Sequence, residues 1–156
     1  MSTNLQLPEG LDLASIAIIG MAGRFPGAAT VDEFWTNLCQ GEESLTVSSR
    51  ADLLDAGLTP DVVDHPDFVP VKGALQDADL FDASFFDINP REAEVMDPQQ
   101  RVFLECAWTA LEAAGVDPLT YRGRIGVFAG TGMNQYLVFN LMTEQDTARS
   151  YGLFQT

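Results

Sequence analysis

Basic charge is the scarcest property of this chain. Its 156 residues include 8 lysines and arginines against 23 acids, and Lys72 is the only lysine. A net charge of -15 repels phosphate backbones and anionic lipid, which argues against nucleic-acid or membrane-surface partners. Cysteine is nearly as rare: Cys39 and Cys106 cannot make a disulfide framework, and nothing points to export. With His65 the only histidine, a Cys–His nucleophile pair or a metal site has almost no residues to draw on. Long apolar runs are missing too, since none approaches the roughly 20 residues that span a bilayer. The N-terminus lacks the basic start and apolar core of a signal peptide. The expectation is a soluble, cytoplasmic protein.

What is present is a globular composition, with 46% apolar residues in a length suited to one domain. Residues 1–14 are polar, carry Pro8 and Gly10, and read as a flexible leader. Ser15-Ile16-Ala17-Ile18-Ile19 predicts a strand buried on both faces, followed by a glycine-rich turn from Gly20 to Gly27. Thr30 and Glu33 form a capping-box pair that opens a helix to about Gln40, with Gly41 at its C′ position. A short helix is expected near Arg50–Ala56, and an edge strand between Phe68 and Leu75 because Pro70 interrupts the ladder. A second buried strand is predicted at Ile125-Gly126-Val127-Phe128-Ala129, and a helical segment beyond Met133. Strand, turn and helix in that order indicate an α/β protein.

The clearest local signal lies between Asp82 and Arg101, where two helix starts stand back to back. Asn89 is placed as an N-cap, Pro90 at the first helical position, and Glu92 to reach back to the cap amide. Asp97, Pro98 and Gln100 repeat the arrangement. A helix over about 90–96 should therefore break at the second proline and restart at a new angle. The second helix runs to about Ala114, with Val102, Phe103, Cys106, Ala107, Ala110, Leu111 and Ala114 on one apolar face and Gly115 closing it.

None of these features completes a catalytic constellation. Gly20–Gly27 lacks the Gly-Lys-Ser/Thr ending of a P-loop and does not match G-x-G-x-x-G, so a tight strand-to-helix turn is favoured over a phosphate cradle. Gly130-Thr131-Gly132 is equally weak alone, and a nucleotide-binding domain rests on these turns only. Asp77, Asp79, Asp82 and Asp87 could be imagined as an acid pair, but helix caps or a solvated face suit so acidic a chain better.

Four separated stretches nevertheless resemble the opening of a condensing-enzyme ketosynthase of a modular type I polyketide synthase. They are Ile16 through Gly27, Glu33-Phe34-Trp35 through Gly41, Phe81 through Gly115 with Met96-Asp97-Pro98-Gln99-Gln100-Arg101, and Gly126-Val127-Phe128-Ala129-Gly130. The resemblance implies a thiolase-like fold: layered α/β with a mixed sheet, of which residues 15–156 would form an incomplete N-terminal portion. It implies decarboxylative Claisen condensation in the complete enzyme, with an acyl chain on a cysteine and two histidines helping decarboxylation. Substrates would arrive as phosphopantetheine thioesters on an acyl carrier protein, with no cofactor or metal bound directly and a second copy as homodimer partner.

The nucleophile elbow of that family, of the type Thr-Ala-Cys-Ser-Ser, does not occur here, and neither Cys39 nor Cys106 matches its position. No catalytic residue is therefore expected in this chain, which should be inactive by itself. The alternative is a non-catalytic truncated product or a split subunit needing a complementing chain. By the same resemblance Met133, Asn134 and Tyr136 are candidates for the wall of the acyl channel; a capped helix start packed into the core remains open for the same residues. Arg24, Arg91, Arg101, Arg122 and Arg124 are too few against -15 to attract an acidic carrier, so carrier docking is expected elsewhere.

Overall fold

The computed structural model describes residues 16–141. The predicted leader 1–14 lies outside them. Helix α1, Val31–Gln40, starts where Thr30 Oγ1 accepts the Glu33 amide at 3.2 Å. The Glu33 carboxylate takes the amide of Ala29 at 2.8 Å, one residue before the cap, in place of the Thr30 amide that a complete capping box would use. Gly41, at φ 69°, ends the helix in the left-handed region, and the Glu42 amide donates to Asn37 O at 2.9 Å. The Phe34 ring stacks on Phe25 at 4.1 Å, tying α1 to the glycine-rich turn.

Strand β1, Thr46–Val47, pairs antiparallel with β2, Val71–Lys72, with Thr46 opposite Lys72 and Val47 opposite Val71. Between them lie α2, Arg50–Asp55, and α3, Pro60–Val63. Ser49 and Asp52 form a complete capping box at α2. Arg50 clasps Asp64 with two hydrogen bonds, 2.7 and 2.8 Å long, which locks α2 to the end of α3.

The two back-to-back helices form as the prolines direct. In α4, Pro90–Val95, Asn89 accepts the Glu92 amide at 2.9 Å. Glu92 receives the Asn89 side-chain amide at 3.3 Å instead of the cap's backbone amide. Helix α5, Pro98–Ala113, is capped by Asp97 through the Gln99 amide at 2.8 Å. Gln99, not Gln100, makes the side-chain contact with the cap, at 3.3 Å. The kink itself is held by Arg101, whose Nε donates to Met96 O at 3.1 Å. Gly115, at φ 66°, closes α5, and the Val116 amide donates to Leu111 O. Phe85 meets Trp108 edge-on at 4.9 Å, and Phe86 stacks on Phe81 at 5.3 Å, so the 81–86 loop lies against α5.

Four sequence expectations are corrected. Residues 16–19 and 125–129 do not form strands: Ile16 is 94% exposed and Phe128 98% exposed. A strand exists only through hydrogen bonds to a neighbour's backbone, and among the described residues neither segment pairs with another. In place of the mixed sheet of a layered α/β arrangement, the described residues hold helices and one two-stranded antiparallel pair. The edge strand expected within 68–75 shrinks to Val71–Lys72.

The core is correspondingly thin. Among the described residues the buried hydrophobic side chains are Ala28 and Leu141, and none of the large side chains is fully enclosed. The apolar stripe of α5 is half-buried, with Phe103 exposed. The N-terminal segment still packs closely where it crosses this helix: a Cβ on Gly20 would meet Ala110 O at 2.4 Å. Only glycine allows that approach.

Candidate functional site: a groove at the start of α5

The residues with the most structured polar surroundings meet at the N-terminus of α5. Asp97, Pro98, Gln99, Gly132, Met133, Gln135 and Tyr136, with Phe139 and Asn140, line an open groove of about 540 Å³. Its floor is the cap: Asp97 is only 5% exposed and is held through its own hydrogen bonds to Gln99. One wall is the 131–136 segment. The Gly132 amide donates to Gln99 Oε1 at 3.0 Å, and the Gln135 amide turns back onto Met133 O at 2.8 Å.

Tyr136 anchors the far end of that wall. Its hydroxyl donates to Glu94 O at 2.8 Å, and its ring lies 5.7 Å from the Arg101 guanidinium. Arg101 is a buried cation that also donates to Asp79 O at 3.4 Å. Carbonyl oxygens and an aromatic face thus replace water around the charge.

Of the three residues singled out from the sequence, the groove brings together Met133 and Tyr136. Asn134 is not part of its lining. Asn134 Oδ1 accepts the Leu137 amide at 2.8 Å and so starts the π-helical turn Leu137–Leu141. The pairing of Gln99 with Gly132 was not anticipated. Their contact joins positions 33 apart in sequence, and the only hint of it is a second glutamine beside the cap.

Residues 14–156 match the family described as beta-ketoacyl synthase, N-terminal domain. This chain belongs to that family. It is an N-terminal ketosynthase domain segment of the modular type I polyketide synthase kind. It is 44% identical over 142 residues to a phenolphthiocerol/phthiocerol polyketide synthase of Mycobacterium tuberculosis, covering 91% of this chain and 9% of that protein. To the pikromycin polyketide synthase component PikAII of Streptomyces venezuelae it is 40% identical, covering 84% of this chain and 4% of the relative. Among solved structures, ketosynthase twelve of the bacillaene polyketide synthase in Bacillus amyloliquefaciens superposes with a TM-score of 0.55 at 44% identity, over 62% of this chain and 17% of that one. The ketosynthase from module 6 of the bacillaene synthase of Bacillus subtilis 168 gives 0.55 at 38% identity, over 67% and 17%. The chain therefore spans less than a tenth of the curated synthases it matches.

In this ketosynthase segment the glycine-rich turn serves packing. A Cβ on Gly23 would sit 2.7 Å from the Phe25 ring, and one on Gly27 would sit 2.6 Å from Ser44 Oγ. A second cleft, of about 410 Å³, opens between Met21–Arg24, Ala29–Asp32 and the Glu105–Thr109 face of α5. Arg24 bridges it, pairing with Glu105 at 3.1 Å and donating to Gln76 O. Cys106 lines this cleft. Burial pushes its thiol pKa up, and the nearby Arg24 charge only partly opposes that. A raised thiol pKa is the reverse of what a nucleophile needs. Cys39 is exposed near the end of α1. His65 is engaged in its own turn, where Nδ1 accepts the Asp67 amide at 3.2 Å. Of the four aspartates considered as acids, Asp82 caps a turn through the Phe85 amide at 3.0 Å. Asp77 and Asp87 occupy left-handed turn positions at φ 52° and 54°. No helix among the described residues is long and apolar enough to cross a membrane.

Proposed function

We propose that this chain is the opening part of a polyketide-synthase ketosynthase whose complete form lengthens an acyl chain by decarboxylative Claisen condensation. In that reaction a cysteine thiolate attacks the acyl thioester and expels the phosphopantetheine thiolate of one carrier. A malonyl-type extender on an acyl carrier protein then loses carbon dioxide. Its carbanion attacks the acyl-cysteine carbonyl, and the cysteine thiolate leaves. The nucleophile and the two histidines come from sequence beyond this chain, so the chain alone condenses nothing. Met133 and Tyr136, with Asn134 holding the turn beneath them, contribute to the acyl channel, and a second copy of the complete domain completes the dimer.

The observation that carries this reading is 44% identity to a polyketide synthase subunit over 91% of the chain. The exposed segments 16–19 and 125–129 agree with it, because such β-prone runs need sheet neighbours that further sequence would supply. The deciding experiment is the intact mass of the native protein in its producing cell, followed through a peptide spanning Val102–Trp108. A mass far above 17.0 kDa is expected. A 17.0 kDa species that purifies with a second chain bearing the cysteine would replace this reading with a split subunit. The same species without such a partner would overturn it.

A further inference from the structure

We propose that Gln99 is a positioning residue that sets the acyl-chain selectivity of the groove by fixing the backbone that carries Met133. The inference rests on reading Met133 and Tyr136 as channel wall. Met133 is 76% exposed in an open groove, so no packing fixes its side chain, and methionine adapts readily to whatever lies beside it. Where the Met133 side chain reaches therefore depends on where its backbone is held. Beyond the local turn from the Gln135 amide to Met133 O, two longer-range bonds among the described residues flank it: Gln99 Oε1 on the Gly132 amide and the Tyr136 hydroxyl on Glu94 O.

The Gln99 carboxamide has one workable orientation. Gly132 presents a donor and so needs the oxygen, while Asp97 Oδ2 presents an acceptor and so needs the nitrogen, 3.3 Å away. Turning the amide over would lose both bonds at once. Asp97 is buried and is itself capped onto α5. The position of Met133 is thus referred, through Gln99, to the start of the longest helix among the described residues. Contact is close as well: a Cβ on Gly132 would lie 3.3 Å from Gln99 Oε1.

The test uses the complete ketosynthase that contains this segment and measures kcat/KM for cysteine acylation by butanoyl and octanoyl N-acetylcysteamine thioesters. Q99M keeps the length and removes both hydrogen bonds; the one to Gly132 is the one that holds the Met133 backbone, so the ratio of the two rates should shift by about fivefold, the effect of that single lost hydrogen bond. Q99E should make the ratio depend on pH. Its carboxyl can donate to Asp97 only when protonated, so selectivity should approach wild type at low pH and depart from it as pH rises. M133W separates the two layers of the reading. If M133W shifts the ratio but Q99M and Q99E do not, the positioning role is overturned and the channel stands. If M133W leaves the ratio unchanged, the channel reading itself fails. Should Q99M and Q99E slow both thioesters equally with no pH dependence, Gln99 is merely structural and the proposal falls.

Discussion

Isolation of the 156-residue chain is itself a perturbation, and its consequence can be worked from the two uncovered segments. Ile16, Ile18, Ile19, Ile125, Val127 and Phe128 expose between 45% and 98% of their surfaces. Complete burial of one such side chain contributes about 1.5–3 kcal/mol. Leaving these six largely uncovered therefore forgoes roughly 10 kcal/mol. A whole domain has only about 5–15 kcal/mol of net stability, so the forgone term is as large as the total. The net charge of -15 opposes precipitation, which makes turbidity a poor reporter and dye binding a better one. The isolated chain should enhance 8-anilinonaphthalene-1-sulfonate fluorescence and melt broadly, as expanded states with exposed apolar surface do. Replacing Val127→Asp together with Phe128→Asp should remove a large part of the dye signal. Helical circular dichroism should persist, because α5 is capped by its own neighbours Asp97 and Gly115. A sharp, cooperative melt of the unmodified chain without dye binding would refute the reasoning.

Three further outcomes follow from local geometry. Gly41→Ala should cost about 1 kcal/mol, because its φ of 69° is left-handed and nothing lies within 4 Å of the new Cβ. Gly27→Ala adds to the same backbone strain a contact with Ser44 Oγ at 2.6 Å, for a total of roughly 2–4 kcal/mol. Loss of amide-exchange protection at Ala28, whose N–H bonds Phe25 O at 3.0 Å, reads this locally. Adding Ser44→Gly should restore only the contact part, so a double variant no better protected than Gly27→Ala would contradict the packing account. Cys39 should react with iodoacetamide before Cys106, which burial shields and whose thiol it pushes upward. A thiol raised in the folded state stays protonated to higher pH than in the unfolded chain. Cys106 labelling should thus rise at a higher pH natively than in urea, and this protonated-state contribution to stability is present below the unfolded pKa and lost as pH climbs through the folded one. Equal labelling profiles for the two thiols by mass spectrometry would count against it.

How far the structure was legible in the sequence depends on the reach of each interaction. Thr30, Ser49, Asn89 and Asp97 each cap a helix through an amide two or three residues away, and Gly41 and Gly115 end helices through bonds of similarly short span. Such signals are self-contained, so α1, α2, α4, α5 and the proline kink could be read directly, whereas α3, whose cap residue Thr59 makes no side-chain bond, read only as a turn. Finer choices inside that range were missed: Asp97 takes the Gln99 amide, so Gln99 rather than Gln100 sits beside the cap. The groove was legible only in part. Met133 and Tyr136 came from likeness to a family, whereas Gln99–Gly132 and Tyr136–Glu94 are bonds over 33 and 42 positions that no local pattern encodes. Segments 16–19 and 125–129 fail for the converse reason. Their apolar, β-branched character is a demand for burial on two faces, but a strand also needs a neighbour, and the described residues supply none. The mismatch between a pattern that asks for a core and side chains that stand in solvent is itself informative. It marks surface that the rest of a ketosynthase would have to cover, as does the apolar stripe of α5, which is still only half-buried.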